Sequence, residues 1–92
     1  MNRDALLQVL RETRQLLARA NNNFNWSSWD NADAALAEID ALIECVGSNT
    51  QLDQQQFAVL FAPTGPIQEV SLSSGWAEAF LELAARVDDA MR

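Results

Sequence analysis

Two prolines and a glycine within four positions, Pro63-Thr64-Gly65-Pro66, constrain the fold of this chain more than any other feature. Proline lacks a backbone N–H and fixes its φ angle, so no regular helix or central strand runs unbroken through this stretch. An apolar stretch, 57–62, precedes it, and the stretch 67–73 after it mixes apolar and polar residues in near alternation. The pattern predicts a β-hairpin. The residues predicted on its buried face are Phe57, Val59, Val70 and Leu72.

Three longer segments repeat apolar residues every three or four positions, which is the period of an amphipathic helix. They span about residues 3–20, 29–46 and 76–91. The first two are followed by residues that favour the left-handed backbone at helix ends, Asn21 and Gly47. The sequence therefore predicts one helix in each segment.

Together these elements predict an α+β fold, with three helices packed on a two-stranded antiparallel β-hairpin in the order α-α-β-β-α. A lone hairpin is barely stable in water, so its apolar face has to pack against the helices. A chain of 92 residues is long enough for one core, and residues 1–92 are predicted to form a single domain. The alternative is an all-α four-helix fold, in which residues 51–61 form a short helix because the glutamines 54–56 are compatible with one.

The charge balance and the missing residue types exclude several classes of function. The chain has 13 acidic and 6 basic residues, a net charge of -7, no histidine and one cysteine, Cys45. Because nucleic-acid binding depends on Lys and Arg at the phosphates, no nucleic-acid partner is expected. Histidine is the most common general base near neutral pH, and a lone cysteine needs a neighbouring base to become reactive. We therefore expect no enzymatic activity, no cofactor, no metal site, and a buried or half-buried Cys45.

Two groups of residues are candidates for binding a partner. Trp26 and Trp29 lie in a connection rich in Asn and Ser. They either contact a protein or a sugar, or close the core between the first two helices. Asp33, Asp40 and Glu44 fall on one face of the second helix, where they either face a basic protein or are simply solvated.

The charges are unevenly distributed along the chain. Residues 1–20 carry four Arg and two acidic residues, whereas residues 21–92 carry two Arg and eleven acidic residues. The first helix is therefore mildly basic and the remainder strongly acidic. We expect the first helix either to bind a different partner from the rest of the chain or to lie against an acidic neighbour within the fold.

Two stretches carry a resemblance to known proteins: Trp-Ser-Ser-Trp-Asp at 26–30, before an Ala-rich acidic helix, and Leu-Phe-Ala-Pro-Thr-Gly-Pro-Ile-Gln-Glu-Val-Ser at 60–71. Together they resemble a group of small, acidic bacterial proteins to which no activity is assigned, over roughly residues 20–90. The resemblance implies a free-standing bacterial domain and carries over no functional residue. By analogy, small acidic proteins of this kind often accompany secreted toxins as immunity proteins.

These observations favour a non-catalytic protein-interaction domain in the bacterial cytoplasm, of the immunity type that inhibits a basic partner. The alternatives are a small-ligand or sugar-binding domain that uses the tryptophan-rich connection, and a structural homodimer. The sequence contains no secretory signal pattern and no apolar run of about eighteen residues, so no membrane partner is expected. The expected partner is a protein or a second copy of the chain.

Overall fold

The computed structural model describes residues 2–48 and 54–92, and in these two ranges the chain forms five helices and no strand. The helices are α1 (Arg3–Leu17), α2 (Ala32–Gly47), α3 (Gln54–Leu60), α4 (Pro66–Ser74) and α5 (Ala77–Met91). The predicted α+β fold with a β-hairpin is therefore wrong, and the all-α alternative fits. The all-α alternative predicts a short helix over residues 51–61, and α3 lies within that range. Residues 51–53 of the predicted helix lie outside the described residues. α4 is a further helix in the segment that the hairpin prediction makes its second strand.

The spacing of the buried residues in α3 and α4 explains why the hairpin prediction fails. A strand places every second residue on one face, whereas a helix places residues three and four apart together. The buried residues are Phe57, Leu60 and Phe61 in the first segment and Ile67, Val70 and Ser71 in the second. Val59 and Leu72, predicted on the buried face of the hairpin, are exposed to solvent. Both segments therefore follow the period of a helix.

The Pro-Thr-Gly-Pro sequence begins a helix instead of closing a hairpin. Gly65 is the N-cap of α4 and Pro66 its first residue, where the absent N–H costs little because first-turn N–H groups have no partner within a helix. Gly65 is buried. A methyl group on its Cα would overlap the carbonyl oxygen of Val59 and lie 3.0 Å from that of Leu60. Because residue 65 has no side chain, the backbone at the end of α3 can contact the backbone at the start of α4.

The three long helices form where the sequence predicts them, with shifted ends. α1 ends at Leu17, before its predicted boundary. α2 begins at Ala32 rather than near Trp29, because the side chain of Asn31 accepts a hydrogen bond from the first turn and caps the helix there. Gly75, with a φ angle of 87°, ends α4 in the left-handed region that glycine adopts without strain.

α1 packs against both α2 and α5, and the hydrogen bonds at its start indicate that both run antiparallel to it. The N–H of Asn2 donates to the carbonyl oxygen of Ala90 at 2.7 Å, and Arg3 Nη1 donates to that of Val46 at 3.2 Å. The start of α1 thus meets the ends of α5 and α2, while α4 packs on α5. The core between the helices includes Leu6, Leu10, Leu17, Ile39, Phe57, Ile67 and Phe80. None of the helices in residues 2–48 and 54–92 has the length and apolarity needed to cross a membrane.

Candidate functional site

The connection between α1 and α2 carries two of the predicted contact residues, and hydrogen bonds attach it to α4. We call residues 23–29 the tryptophan loop. At its start, the N–H of Asn23 donates to Ser74 Oγ at 2.9 Å. Near its end, the N–H of Ser28 donates to Glu69 Oε1 at 3.4 Å. The loop therefore runs along α4, from the end of that helix towards its beginning.

The structure separates the two tryptophans of this loop. Trp26 is 73% exposed, whereas Trp29 is only 8% exposed. The indole Nε1–H of Trp29 donates to Glu38 Oε2 at 2.7 Å, which supplies the acceptor that a buried indole requires. Trp29 therefore belongs to the edge of the core, which is one of the two roles left open by the sequence. Trp26 alone of the pair presents its ring to solvent.

A groove opens beside Trp29 and runs between α2, α3 and the start of α4. Its volume is ≈ 550 Å³, which lies within the usual range for ligand clefts. Apolar side chains of Val59, Leu60 and Pro66 line it, and Val59 is 58% exposed. Its polar lining comes from Glu38, Ser28, Gln55 and Gln56. We call this cleft the Glu38 groove, after the charged residue among those that line it.

The carboxylate of Glu38 is held in one orientation and has no neutralising partner within the part of the chain that the structure describes. The hydrogen bond from Trp29 fixes the position of Oε2. Among residues 2–48 and 54–92, no arginine pairs with Glu38, and no other donor reaches it. Glu38 is therefore a negative charge of fixed position beside apolar walls.

The predicted acidic face of α2 is exposed, but one of its members is already paired. Asp33, Asp40 and Glu44 are all exposed. Arg14 of α1 donates to Asp40 through Nε at 2.6 Å and Nη2 at 3.3 Å, and this hydrogen bond raises the pKa of the Arg14 guanidinium. Within the described part of the chain, Asp33 and Glu44 make no side-chain hydrogen bond or ion pair. The contact between Arg14 and Asp40 matches the expectation that the basic first helix lies against an acidic neighbour.

A second ion pair joins α1 to α5. Arg86 donates to Glu12 through two nitrogens, at 2.9 Å and 2.5 Å. The hydrogen bond from Arg86 lowers the pKa of the Glu12 carboxyl below its ordinary value of 4.5, and the same contact raises the pKa of Arg86. The pair lies beside a smaller cavity of ≈ 250 Å³ between the two helices. It joins α1 to α5 beside their buried faces, and we assign it a structural role.

The Glu12 pair makes a prediction about the pH dependence of stability. A carboxyl whose pKa is lower in the folded protein stabilises the fold above its unfolded pKa and loses that contribution as the pH falls through its folded pKa. Because the pair is partly exposed, Glu12→Gln should lower the unfolding free energy at pH 7 by no more than about 1 kcal/mol. The difference from the wild type should shrink as the pH falls below 4.5. Urea denaturation at several pH values measures it. A difference that is independent of pH, or one equalled by the control Glu44→Gln, would contradict the assignment.

Cys45 is exposed, so its predicted burial is wrong. Residues 42 and 46 of α2 are buried in the core, and position 45 lies at the outer edge of that face. Within residues 2–48 and 54–92, no three His, Cys, Asp or Glu side chains come together in an arrangement that could hold a metal ion.

The sequence prediction missed the Glu38 groove. Glu38 stands out in the sequence only as a neighbour of the acidic face, and Val59 and Pro66 are assigned to the hairpin. The groove depends on α3 being a helix that turns Val59 outwards, and on a hydrogen bond between residues nine positions apart. The helix-compatible glutamines before Phe57 were the one local signal for that arrangement.

A comparison of the chain with protein-family models, with curated proteins and with solved structures finds no match. The function is therefore inferred from the chemistry of the tryptophan loop, the Glu38 groove and the acidic face of α2.

Proposed function

We propose that this protein is a non-catalytic domain that binds another protein, and that Trp26 is its central contact. The observation that carries the proposal is the 73% exposure of Trp26 on a loop bonded to α4. Tryptophan is enriched among the residues that contribute most to protein–protein binding. Its ring buries a large apolar area and loses little side-chain freedom in doing so.

The order of the tryptophan loop supports this role. Besides its bonds to α4, the loop contains two internal hydrogen bonds around Ser27. The N–H of Ser27 donates to the carbonyl oxygen of Phe24 at 3.1 Å, and Ser27 Oγ accepts from the N–H of Trp29 at 3.2 Å. These bonds hold the backbone on both sides of Trp26. A loop that is ordered before binding loses less conformational entropy when the partner arrives, which favours affinity.

The charge of the chain favours a basic partner. The net charge is -7, and Asp33 and Glu44 lie exposed on α2 with no partner in the described residues. Acidic surfaces of this kind steer cationic proteins into contact and accelerate association. An immunity-type inhibitor in the bacterial cytoplasm is the specific form of this proposal that the resemblance suggests.

Replacing Trp26 with alanine is expected to weaken partner binding about thirtyfold or more, because truncating a central tryptophan costs about 2 kcal/mol or more. Wild type and variant are immobilised, exposed to an extract of the source cells, and the bound proteins are quantified by mass spectrometry. The matched control is Leu72→Ala, which removes an apolar side chain that is 64% exposed on α4.

Two outcomes would contradict the role of Trp26. One is a partner that the wild type and Trp26→Ala retain in equal amounts. The other is a partner that Leu72→Ala and Trp26→Ala lose to the same extent. Sedimentation of the purified chain at micromolar concentration tests the homodimer alternative, in which the partner is a second copy.

The basic-partner form makes a separate prediction. Asp33→Lys combined with Glu44→Lys should lower the association rate with a captured partner about tenfold at low salt, and the effect should fade as salt is added. Asp40 is unsuitable for this test, because its substitution also breaks the contact with Arg14. The control is Glu78→Lys with Asp88→Lys, an equal charge change on α5. If both double variants lower the association rate equally, the net charge of the chain sets that rate and the prediction for the acidic face of α2 is wrong.

Binding of a small ligand is the second candidate function, and the Glu38 groove favours it. The groove has the volume of a ligand cleft and combines apolar walls with one carboxylate. A sugar would bind elsewhere, on the exposed ring of Trp26, which does not line the groove; Trp29 is buried and cannot stack on a sugar. Tryptophan fluorescence recorded across a panel of glycans and metabolites tests this candidate, and an unchanged signal would contradict it.

A further inference from the structure

We propose that the Glu38 groove receives a basic side chain of the partner protein, with the cationic nitrogen at Glu38 and the alkyl stem against Val59 and Pro66. The proposal rests on the proposed function, because it makes the groove a second contact beside Trp26. Its evidence comes from the charge and the lining of the groove and from the position of the groove relative to the tryptophan loop.

The charge of the groove selects a cation. Glu38 is oriented by Trp29 and has no ion-pair partner in the described residues. An apolar occupant would remove water from this carboxylate and offer no hydrogen bond in exchange, and an uncharged donor would offer only a weaker one. An ammonium or guanidinium group replaces the lost water with a charge-assisted hydrogen bond. The orientation imposed by Trp29 lets the carboxylate meet that group without rearrangement.

The lining of the groove selects an alkyl chain next to that cation. Val59, Leu60 and Pro66 provide apolar surface, and 58% of Val59 is exposed in the absence of a partner. Lys and Arg side chains pack their methylene stems on apolar surface while the charged end meets a polar group. A groove with apolar walls and one carboxylate therefore matches the two parts of a basic side chain.

The position of the groove places it within reach of a partner that covers Trp26. Ser28 lines the groove and lies two residues along the tryptophan loop from Trp26. The bond from the N–H of Ser28 to Glu69 fixes this part of the loop against α4. A protein surface that buries the Trp26 ring and continues along the loop over Ser28 would reach the groove. The net negative charge of this chain favours a basic partner, and a basic partner carries the Lys or Arg side chains that fit the groove.

The test uses nuclear magnetic resonance of the full chain and a blocked tripeptide, Leu-Arg-Leu. Its control is the same peptide with citrulline in place of arginine, which keeps the shape and removes the charge. The arginine peptide is expected to shift the indole N–H of Trp29 and the backbone N–H of Val59 in a saturable way. The citrulline peptide should bind about tenfold more weakly, because hydrogen bonds to charged groups are the stronger ones.

Glu38→Gln identifies the carboxylate responsible. The amide oxygen of glutamine can still accept from the Trp29 indole, so the fold and the groove should be preserved. This variant is expected to remove the preference for arginine over citrulline, whereas Asp33→Asn on the same helix should leave it unchanged. Val59→Ser, at an exposed position, should weaken both peptides alike by about twofold to threefold, since it removes only apolar contact.

Three results would overturn the proposal: equal binding of the arginine and citrulline peptides, no shift at Trp29 and Val59, or an unchanged arginine preference in Glu38→Gln. n-Butylguanidinium serves as the free small-molecule arm. Because it is the arginine side chain alone, it should bind no more tightly than the arginine peptide. Tighter binding would make the groove a site for free small cations, and the proposed source in a partner protein would be wrong. Failure here would leave the role of Trp26 intact, because that role is measured by partner capture with Trp26→Ala.

Discussion

Phe57→Ala is expected to lower the unfolding free energy by about 3–5 kcal/mol, whereas Val59→Ala should change it by less than about 0.5 kcal/mol. Phe57 is 1% exposed and is one of the largest fully buried side chains, so its truncation removes apolar contacts and leaves a cavity. Val59 lies on the solvent side of the same helix. Urea denaturation of the two variants, with midpoint and slope compared with the wild type, measures both effects.

This pair of variants also distinguishes a helix from a strand at α3. Residues two apart share a face in a strand, so a hairpin would make both substitutions costly. In a helix they lie about 200° apart, so one is buried and the other exposed. Equal losses of stability for Phe57→Ala and Val59→Ala would contradict the helical assignment of this segment.

Gly65→Ala is expected to lower the unfolding free energy by about 2–3 kcal/mol, as overpacking of a buried site does. The added methyl group would overlap the carbonyl oxygen of Val59 and lie 3.0 Å from that of Leu60. These are backbone atoms, so relief requires α3 and the start of α4 to move apart. The backbone angles of Gly65 are accessible to alanine, so the cost comes from the contact. Thermal unfolding followed by circular dichroism measures the loss.

Gly47→Ala is the matched control for this prediction. Gly47 is the last residue of α2, and a Cβ built there meets no atom within 4 Å. Alanine has the higher helix propensity, so this change should be neutral or stabilise the protein by up to about 1 kcal/mol. If the unfolding temperature of Gly65→Ala is no lower than those of Gly47→Ala and the wild type, the close approach of α3 and α4 is wrong.

The three long helices were predictable because each repeats its apolar period over several turns. α1 and α5 have 15 residues and α2 has 16, enough for the period to be read without ambiguity. Their ends were less predictable. The N-terminus of α2 depends on which of several polar residues before the apolar repeat caps it, and in the structure Asn31 does so.

The two short helices were not predictable, because a short apolar run is equally compatible with a strand and a helix. α3 has 7 residues and α4 has 9. Pro66 is compatible with a hairpin loop and with the first position of a helix, and the sequence alone does not distinguish these roles. One local detail does favour the helix. Gln68 and Glu69 are adjacent polar residues, so strict alternation already fails between Ile67 and Val70.

The candidate site was partly predictable from the sequence. The unusual density of tryptophan between α1 and α2 identifies the tryptophan loop, but a loop has no regular period to separate an exposed ring from a buried one. Trp26 and Trp29 therefore had to be considered together. The hydrogen bond from Trp29 to Glu38 joins the tryptophan loop to α2, and the outward turn of Val59 depends on α3 being a helix, so neither could be read from the sequence pattern.

The contacts of α1 set the time at which this chain can finish folding during its synthesis. α1 emerges from the ribosome first among the five helices of the described residues, yet Asn2 is bonded to Ala90 and Glu12 to Arg86 of α5, which emerges last. α2 can cover one side of α1 early, but the side that faces α5 stays in water until α5 has itself left the ribosome. The nascent chain therefore exposes apolar surface while most of its sequence has already been made, and exposed apolar surface of this kind makes folding chains prone to aggregate.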